Sequence, residues 1–373
     1  MQSQIFQTKS SRVLSKYLGE KNEYQVADAY IEGKDQIRGW FQSSLLLSYL
    51  CEKKLPYKII ISHGFVVDEY GSKMSKSKGN VVDLHETIDK FGVEILRIWV
   101  MSSDYTDDVA IGPKIIEKMC ENYRKIRNVI RYLISVVEAE KMIEGFNDFE
   151  FLEKAMLNEL QEMINDYKSN LEEFNLRKAF NNIYLFINRV SELYFNAIKD
   201  TLYCDDIENK SRISVVQFCF ILLRSLNILL TPLLPFTTEE IFQYCKERSI
   251  SISENRSIHE YSINDIKIRA FSSEYEIKSM EKDIEILRQK IEKIKQEGLC
   301  NRNSDLYMND NLEFKNCSND IALLKKQSLV KILGILGFKK INHDLEISDL
   351  ANCVRCSKKL GSICNRCNLI LNT

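Results

Sequence analysis

The sequence predicts an α/β unit, then a mostly helical bundle, a small mixed segment and a terminal cysteine module. Three observations carry that expectation. A β-rich run, YKIIISHGFVV at 57–67, lies between helical patterns in the first 112 residues. From Pro113 onward, apolar stretches of helical period follow one another with few breakers, and the 373 residues hold only 4 Pro and 13 Gly. The C-terminal end carries two CxxC pairs. At roughly 100–200 residues per domain the length allows two or three sizeable domains, and the pattern divides at 1–112, 113–262, 263–345 and 346–373. Hydrophobic residues at 45% and charged residues at 28% exclude wholesale disorder. The net charge of -1 means that a nucleic-acid surface must come from local clustering.

Taken in order, residues 27–31 read as a short strand ending at Gly33. Residues 40–51 (WFQSSLLLSYLC) read as a helix, with Asp35 expected to accept from the free N–H groups at its start. Residues 57–67 read as one buried strand. Gly71 and Gly79 bracket a polar loop, SKMSKSKG. Residues 84–101 read as a helix followed by a short extended piece over ILRIWVMS. Strand, helix, strand, loop, helix is the order of the closing part of a parallel α/β sheet.

Beyond Pro113, Ile115, Met119, Asn122, Ile126, Ile130 and Leu133 share one helical face, while Arg124, Arg127 and Arg131 form a separate basic stripe. A solvated face is the plain reading of that stripe. Helical patterns recur over 151–169, 176–200 and 212–230, and the aromatic stripe of KAFNNIYLFINRVSELYFNAI reads as bundle core. Pro232 and Pro235 break a helix; Thr237 or Thr238 is expected to cap the next, with Glu239 and Glu240 in its first turn. Residues 249–272 look strand-like or irregular. Ile277, Met280, Ile284, Leu287, Ile291 and Ile294 alternate spacings of three and four. Either a helix packed on its own domain or a coiled coil would produce that seam. Residues 301–345 are mixed and polar.

No apolar run approaches the ~18 residues that span a bilayer. The longest, 218–234, is interrupted by Arg224, Ser225 and Asn227, so no membrane partner is expected. The first residues lack the apolar core of a secretion signal. An odd count of 11 Cys, seven of them scattered, argues for a reducing compartment rather than a disulfide framework. A cytoplasmic protein is the expectation.

Two patterns carry chemistry. Cys353, Cys356, Cys364 and Cys367 form two CxxC knuckles separated by seven residues, including Gly361. Four thiolates at this spacing suit one tetrahedral Zn2+, and a closed four-sulfur site has no open position, so the ion would be structural. Arg355, Lys358, Lys359 and Arg366 would offset its negative charge. Unpaired or redox-active thiols are the alternative. The second pattern is Lys73-Met74-Ser75-Lys76-Ser77, two lysines three apart on a hydroxyl-rich loop after a strand. Ammonium groups there suit an anionic ligand and would neutralise phosphate charge developing in a transition state. The end of a parallel strand is where α/β sheets bind ligands; a solvated basic loop is the alternative.

KMSKSKGN, preceded by ISHGFVVDE, resembles the signature of class I aminoacyl-tRNA synthetases, and YIEGKDQIRGWFQSSLL resembles the isoleucyl branch. RIWVMSSDYTDDVAI, ENYRKIRNVIRYLI, ELYFNAIKD, LTPLLPFTTEEIF and the double-CxxC end extend the likeness over most of 27–373. The resemblance implies a partial Rossmann domain with its KMSKS loop, a helical anticodon-binding bundle, an α+β junction domain and a zinc module. It implies activation of isoleucine by ATP with Mg2+, then transfer to the isoleucine tRNA. Lys76, with Lys73 assisting, would stabilise the pentavalent α-phosphate and departing pyrophosphate. Glu32, Gly33, Asp35 and Gln36 match the stretch lining the aminoacyl-adenylate pocket, and His63 and Gly64 match the strand end near the adenine. Trp40 and Phe41 are read as helix anchors. Arg124, Arg127 and Arg131 become candidate tRNA phosphate contacts.

The departures shape the expectation as much. No HIGH-type motif occurs; the histidines are His63, His85, His259 and His343. The first half of the Rossmann sheet and the editing domain have no counterpart. The chain is therefore read as the C-terminal half of a bacterial-type enzyme, whose partner, if the gene is split, would be a separately encoded N-terminal half; the remnant of a broken or split reading frame is a further reading. The alternative is a non-catalytic tRNA-binding module that keeps the bundle and the zinc end.

Overall fold

In the computed structural model, residues 26–74, 80, 82–138, 146–250, 256–297, 303, 306–309, 319–335, 337–339 and 345–347 are described. The chain divides into two units, Met1–Cys120 and Glu121–Thr373.

In the first unit, β1 (Ala27–Gly33) and β2 (Tyr57–His63) run parallel, in register from Ala27 opposite Tyr57 to Gly33 opposite His63. Parallel neighbours need a crossover, and helix α1 (Trp40–Glu52) supplies it. Its anchors are those read from the sequence: Phe41 is buried and Trp40 stacks on Tyr30 at 6.0 Å. Its start is not capped by Asp35. Residues Lys34–Arg38 form a 3-10 turn between strand and helix, which places Gln36 a turn ahead of Trp40. Gln36 Oε1 accepts from the Trp40 N–H at 3.1 Å, while Asp35 accepts from Gln36 Nε2 at 3.0 Å.

The expected single strand over 57–67 is broken. β2 ends at His63, and β3 (Val66–Val67) pairs instead with β4 (Val109–Ala110), in parallel. The cause is backbone approach at Gly64, where a Cβ would lie 2.1 Å from the Asp107 carbonyl oxygen; the Gly64 N–H donates to the Tyr105 carbonyl at 2.9 Å. Nor is β2 buried. Ile59 and Ile60 are exposed, as are Leu46, Leu47 and Leu50 on α1.

The segment ILRIWVMS is helical, not extended. Helices α2 (Leu84–Phe91) and α3 (Val93–Ser102) are separated at Gly92, whose φ of 85° ends the first. Asp83 caps α2, accepting from the N–H groups of His85 and Glu86. Ile95, Ile98 and Trp99 recur at helical spacing on the buried face of α3. The indole N–H of Trp99 donates to the Ala110 carbonyl at 2.9 Å, tying α3 to β4.

The unit boundary falls within α4 (Pro113–Glu138). In the second unit α4 buries Ile126, Ile130 and Leu133, as its periodicity predicts. α5 (Phe151–Glu172), α6 (Leu176–Arg189), a π turn (Val190–Tyr194), α7 (Phe195–Cys204), α8 (Lys210–Leu230) and α9 (Pro235–Glu247) follow. The aromatic stripe is core: Phe180, Phe186, Tyr194 and Phe195 are buried. α8 is long and apolar enough to cross a membrane, but most of it is buried within the unit.

α9 starts with Pro235 at its first position. Leu234 is therefore the N-cap in place of either threonine, and Glu239 and Glu240 fall beyond the first turn, because Pro235 starts the helix earlier than expected; the Thr238 hydroxyl donates to the Leu234 carbonyl at 2.9 Å. The described part of 249–272 holds two 3-10 turns, Ile258–Glu260 and Ile263–Asp265, and no strand. Glu239 organises the first by accepting from the Ser257 hydroxyl and the Ile258 N–H. The heptad seam belongs to a helix on its own unit. Ile277, Met280, Ile284, Leu287 and Ile291 are buried along α10 (Glu281–Gln296) and the turn before it. Lys278 pairs with Glu162 at 2.7 Å and Glu281 with Arg189 at 3.0 Å. Finally β5 (Leu306–Asn309) lies between β6 (Gly337–Lys339), parallel, and β7 (Leu345–Ile347), antiparallel. Helix α11 (Asn319–Leu333) joins the bundle through Lys331, 2.7 Å from Glu150.

Candidate functional site

The register of β1 and β2 sets the site. Glu32 lies opposite Ser62 and Gly33 opposite His63, so the two stretches singled out in the sequence end side by side at the C-terminal ends of parallel strands. Gly33 leaves room between their side chains: a Cβ there would meet Asp35 Oδ1 at 2.7 Å and the His63 ring at 3.7 Å. Asp35 is exposed on the 3-10 turn, Gln36 is half-buried beside it, and His63 Nδ1 lies 2.8 Å from the Gly64 carbonyl.

The basic loop begins at the same place. Lys73 bridges to Val67 of β3, and its ammonium sits over the Phe65 ring at 5.1 Å. Lys34, the residue after Gly33, places its ammonium over the same ring at 5.2 Å. Each is a cation–π contact. Asp108 holds the arrangement: one of its oxygens accepts from Lys34 at 2.6 Å and from the Phe65 N–H at 2.8 Å. Those two hydrogen bonds, the lysine's first, keep its carboxyl below the usual range. Two cations, an exposed carboxylate and a small-residue gap thus converge at one strand end.

Sequence reasoning missed Lys34, Phe65 and Asp108. Phe65 and Asp108 stood inside recognised stretches, but their pairing spans 43 residues and no local spacing encodes it. Ser75, Lys76 and Ser77 of the motif lie outside the described residues, as do Cys353, Cys356, Cys364 and Cys367. Among the described residues no group of three or more His, Cys, Asp or Glu could hold a metal ion.

The arginine stripe divides. Arg124, Arg127 and Arg131 are all exposed on α4. Arg127, however, donates to Glu240 on α9 and to the Tyr123 hydroxyl, both at 3.1 Å. The Tyr123 hydroxyl in turn lies 2.7 Å from that of Thr237. Arg127 therefore fastens α4 to α9, and Arg124 and Arg131 are the better candidates for an external anion.

Comparison with known proteins accounts for both units. Residues 8–112 match the family model of tRNA synthetases class I (I, L, M and V), and 153–309 match the anticodon-binding domain of tRNA ligase. The isoleucine–tRNA ligase of Campylobacter lari is 35% identical over 376 residues, covering 95% of this chain and 39% of that protein. That of Sulfurimonas denitrificans is 32% identical over 366 residues, with the same shares. The chain is similar to isoleucine–tRNA ligases over most of its length. It spans about two fifths of the length of these curated relatives. The Kosmotoga olearia isoleucine–tRNA ligase is 43% identical over 224 residues, which are 59% of this chain and 24% of that one. In fold, 66% of the chain superposes on 30% of a LeuRS chain crystallised as a LeuRS-tRNA-LeuAMS complex from Agrobacterium radiobacter K84, at a TM-score of 0.51 and 20% identity. The site at the strand ends lies within the residues matched to the class I synthetase model, and the bundle from Glu153 of α5 through α9 lies within those matched to the anticodon-binding domain, whereas the arginine-bearing α4 falls between the two matches.

Proposed function

We propose that the chain supplies the KMSKS-loop side of an isoleucine-activating site, together with the tRNA-binding bundle of the same enzyme. The observation that carries this reading is the meeting of Gly33, Asp35 and His63 with the ammonium groups of Lys34 and Lys73 at one parallel strand end. In the reaction, an isoleucine carboxylate oxygen attacks the α-phosphorus of ATP. The bond to the β-phosphate oxygen breaks, and pyrophosphate leaves with that electron pair. A terminal ribose hydroxyl of the isoleucine tRNA then attacks the adenylate carbonyl and AMP departs. Lys73, with Lys76 in its motif, would neutralise the charge that accumulates on the phosphate oxygens. Glu32, Asp35 and Gln36 offer acceptors and a donor for ribose hydroxyls and the amino group, and the missing side chain at Gly33, between Asp35 and His63, leaves room for the nucleoside. Mg2+ would arrive with ATP.

The finer architecture belongs to the same proposal: a partial Rossmann segment over 1–112, the bundle over 113–262, a junction domain over 263–345 and a zinc module over 346–373. Cys353, Cys356, Cys364 and Cys367 provide a donor set whose number and softness suit one structural Zn2+. A cytoplasmic location and a separate N-terminal half complete it.

ATP–pyrophosphate exchange tests the proposal. The chain alone should show no isoleucine-dependent exchange, because the opposing half of the phosphate site is not among its motifs. Mixed with the N-terminal part of a relative such as the Campylobacter lari enzyme, it should show exchange. Lys73→Ala in that mixture should lower the rate by about 10²–10³. Full exchange by the chain alone, or a mixture indifferent to Lys73, would sink the reading. Absence of exchange in every mixture, with tRNA binding retained, would favour a binding module.

A further inference from the structure

The ion pair between Arg127 and Glu240 is the centre of a surface that neither of its helices shows alone. α4 and α9 lie side by side and run the same way. Tyr123 meets Thr237 at 2.7 Å, Arg127 meets Glu240 at 3.1 Å, and further along both helices Arg248 donates to Glu138. On a helix, positions three or four apart are surface neighbours. Arg124 and Arg131 stand three before and four after Arg127, and Phe236 and Tyr244 stand four before and four after Glu240. All four are exposed. Because the helices are parallel, Arg124 falls at the Phe236 end of the ion pair and Arg131 at the Tyr244 end. The seam thus alternates exposed guanidinium groups with exposed rings.

Its charge is positive. The carboxylates bonded across the seam, Glu240 and Glu138, are answered by Arg127 and Arg248. Arg124 and Arg131 have no carboxylate partner among the described residues. The rings are open to solvent: Phe236 is 67% exposed and Tyr244 38%. The Arg248 guanidinium lies 4.9 Å from the Tyr244 ring centre, so that ring already accepts one flat cation. Cations that follow a phosphate backbone, with rings between them for the bases, are what a single strand requires. A duplex keeps its bases stacked on one another and has no free face to offer the rings.

We propose that the seam between α4 and α9 binds unpaired nucleotides of an RNA loop, with bases on Phe236 and Tyr244 and phosphates on Arg124 and Arg131. The proposal deepens the tRNA-binding reading of the bundle and rests on it. It adds that the RNA meets the arginines unpaired, and that α9 supplies the stacking contacts.

The test uses the full chain and two fluorescently labelled RNAs: the anticodon hairpin of the isoleucine tRNA, and its stem alone as a blunt duplex. Anisotropy titrations at several salt concentrations read affinity and salt slope. The natural chain should bind the hairpin more tightly than the duplex. Phe236→Ala should weaken hairpin binding by at least about fivefold, the loss expected for one stacked base. It should leave the duplex affinity and both salt slopes unchanged, since no phosphate contact is lost. Phe236→Leu keeps apolar bulk without a flat ring and should lose as much; Phe236→Tyr keeps the ring and should stay within about twofold of the natural chain. A natural hairpin affinity in Phe236→Ala would overturn the proposal. So would a loss in Phe236→Ala that Phe236→Leu does not share, because packing alone would then explain it. In either case hairpin binding that still depends on Arg124 and Arg131 would leave the tRNA-binding reading standing. A natural chain that binds neither RNA would remove that reading, and the proposal with it.

Discussion

Glu153 is the most exposing test of how the bundle is held together. It is 1% exposed on α5. The Tyr194 hydroxyl donates to one of its oxygens at 3.0 Å and the Ser214 hydroxyl to the other at 3.2 Å. Burial raises its carboxyl above the ordinary value of 4.5, a shift that Lys331 only partly opposes, and burial together with Glu153 raises Tyr194. A folded pKa above the unfolded one has a definite sign. Below pH 4.5 both states hold the proton and the group contributes no pH dependence. Above it the unfolded chain releases the proton while the folded one retains it, so stability falls as pH rises, until the folded group also ionises. One proton is worth at most about 1.4 kcal/mol per pH unit. Glu153→Gln keeps an acceptor for Tyr194 and offers an N–H to the Ser214 oxygen, but has no proton to lose. Relative to the natural chain it should therefore gain stability with rising pH, at up to that slope, from about pH 4.5 upward. Urea unfolding followed by far-ultraviolet circular dichroism at a series of pH values measures the difference. A constant deficit for Glu153→Gln at every pH would show that the buried carboxylate is ionised and its charge used, and the protonated assignment would fall.

Gly64→Ala should cost at least about 2 kcal/mol, because its Cβ would strike the backbone of Asp107 and Asp108 rather than a yielding side chain; the first unit's tryptophan fluorescence would report it, and an unchanged midpoint would deny the close approach. In the bundle, Arg124→Ala with Arg131→Ala should lower the salt slope of tRNA binding by about one for each phosphate that the arginines neutralise. Arg127→Ala should instead cost up to about 1 kcal/mol of stability, the scale of an exposed ion pair, and an unaltered slope in the first pair would return the stripe to solvent. Elemental analysis should find one Zn2+, which on the order of 10 kcal/mol of coupled folding energy would hold against dilution; four thiols freely alkylated in the native chain would rule it out.

Much of this protein was legible before any coordinates. Periods of three and four placed α4 to α8 and the seam of α10, because an apolar face must be buried whatever it packs against. The residues flanking the basic loop marked the site, because their types are what phosphate chemistry asks for. Local context misled where a single backbone event decided the outcome. Tyr57 to Val67 has the composition of one strand, yet the contact between Gly64 and Asp107 splits it and hands Val66 and Val67 to β4. ILRIWVMS has β-branched residues, but Gly92 and the buried face of Ile95, Ile98 and Trp99 make it a helix. Thr237 and Thr238 look like caps until Pro235 takes the first helical position. What only the tertiary structure decided was pairing at long range: Lys34 and Phe65 with Asp108, Arg127 with Glu240, Glu153 with Tyr194. A sequence records which residues are available, and periodicity records which face is apolar. A hydrogen bond, however, depends on two atoms meeting within about 3 Å, and that distance is set by the packing of elements far apart in the chain.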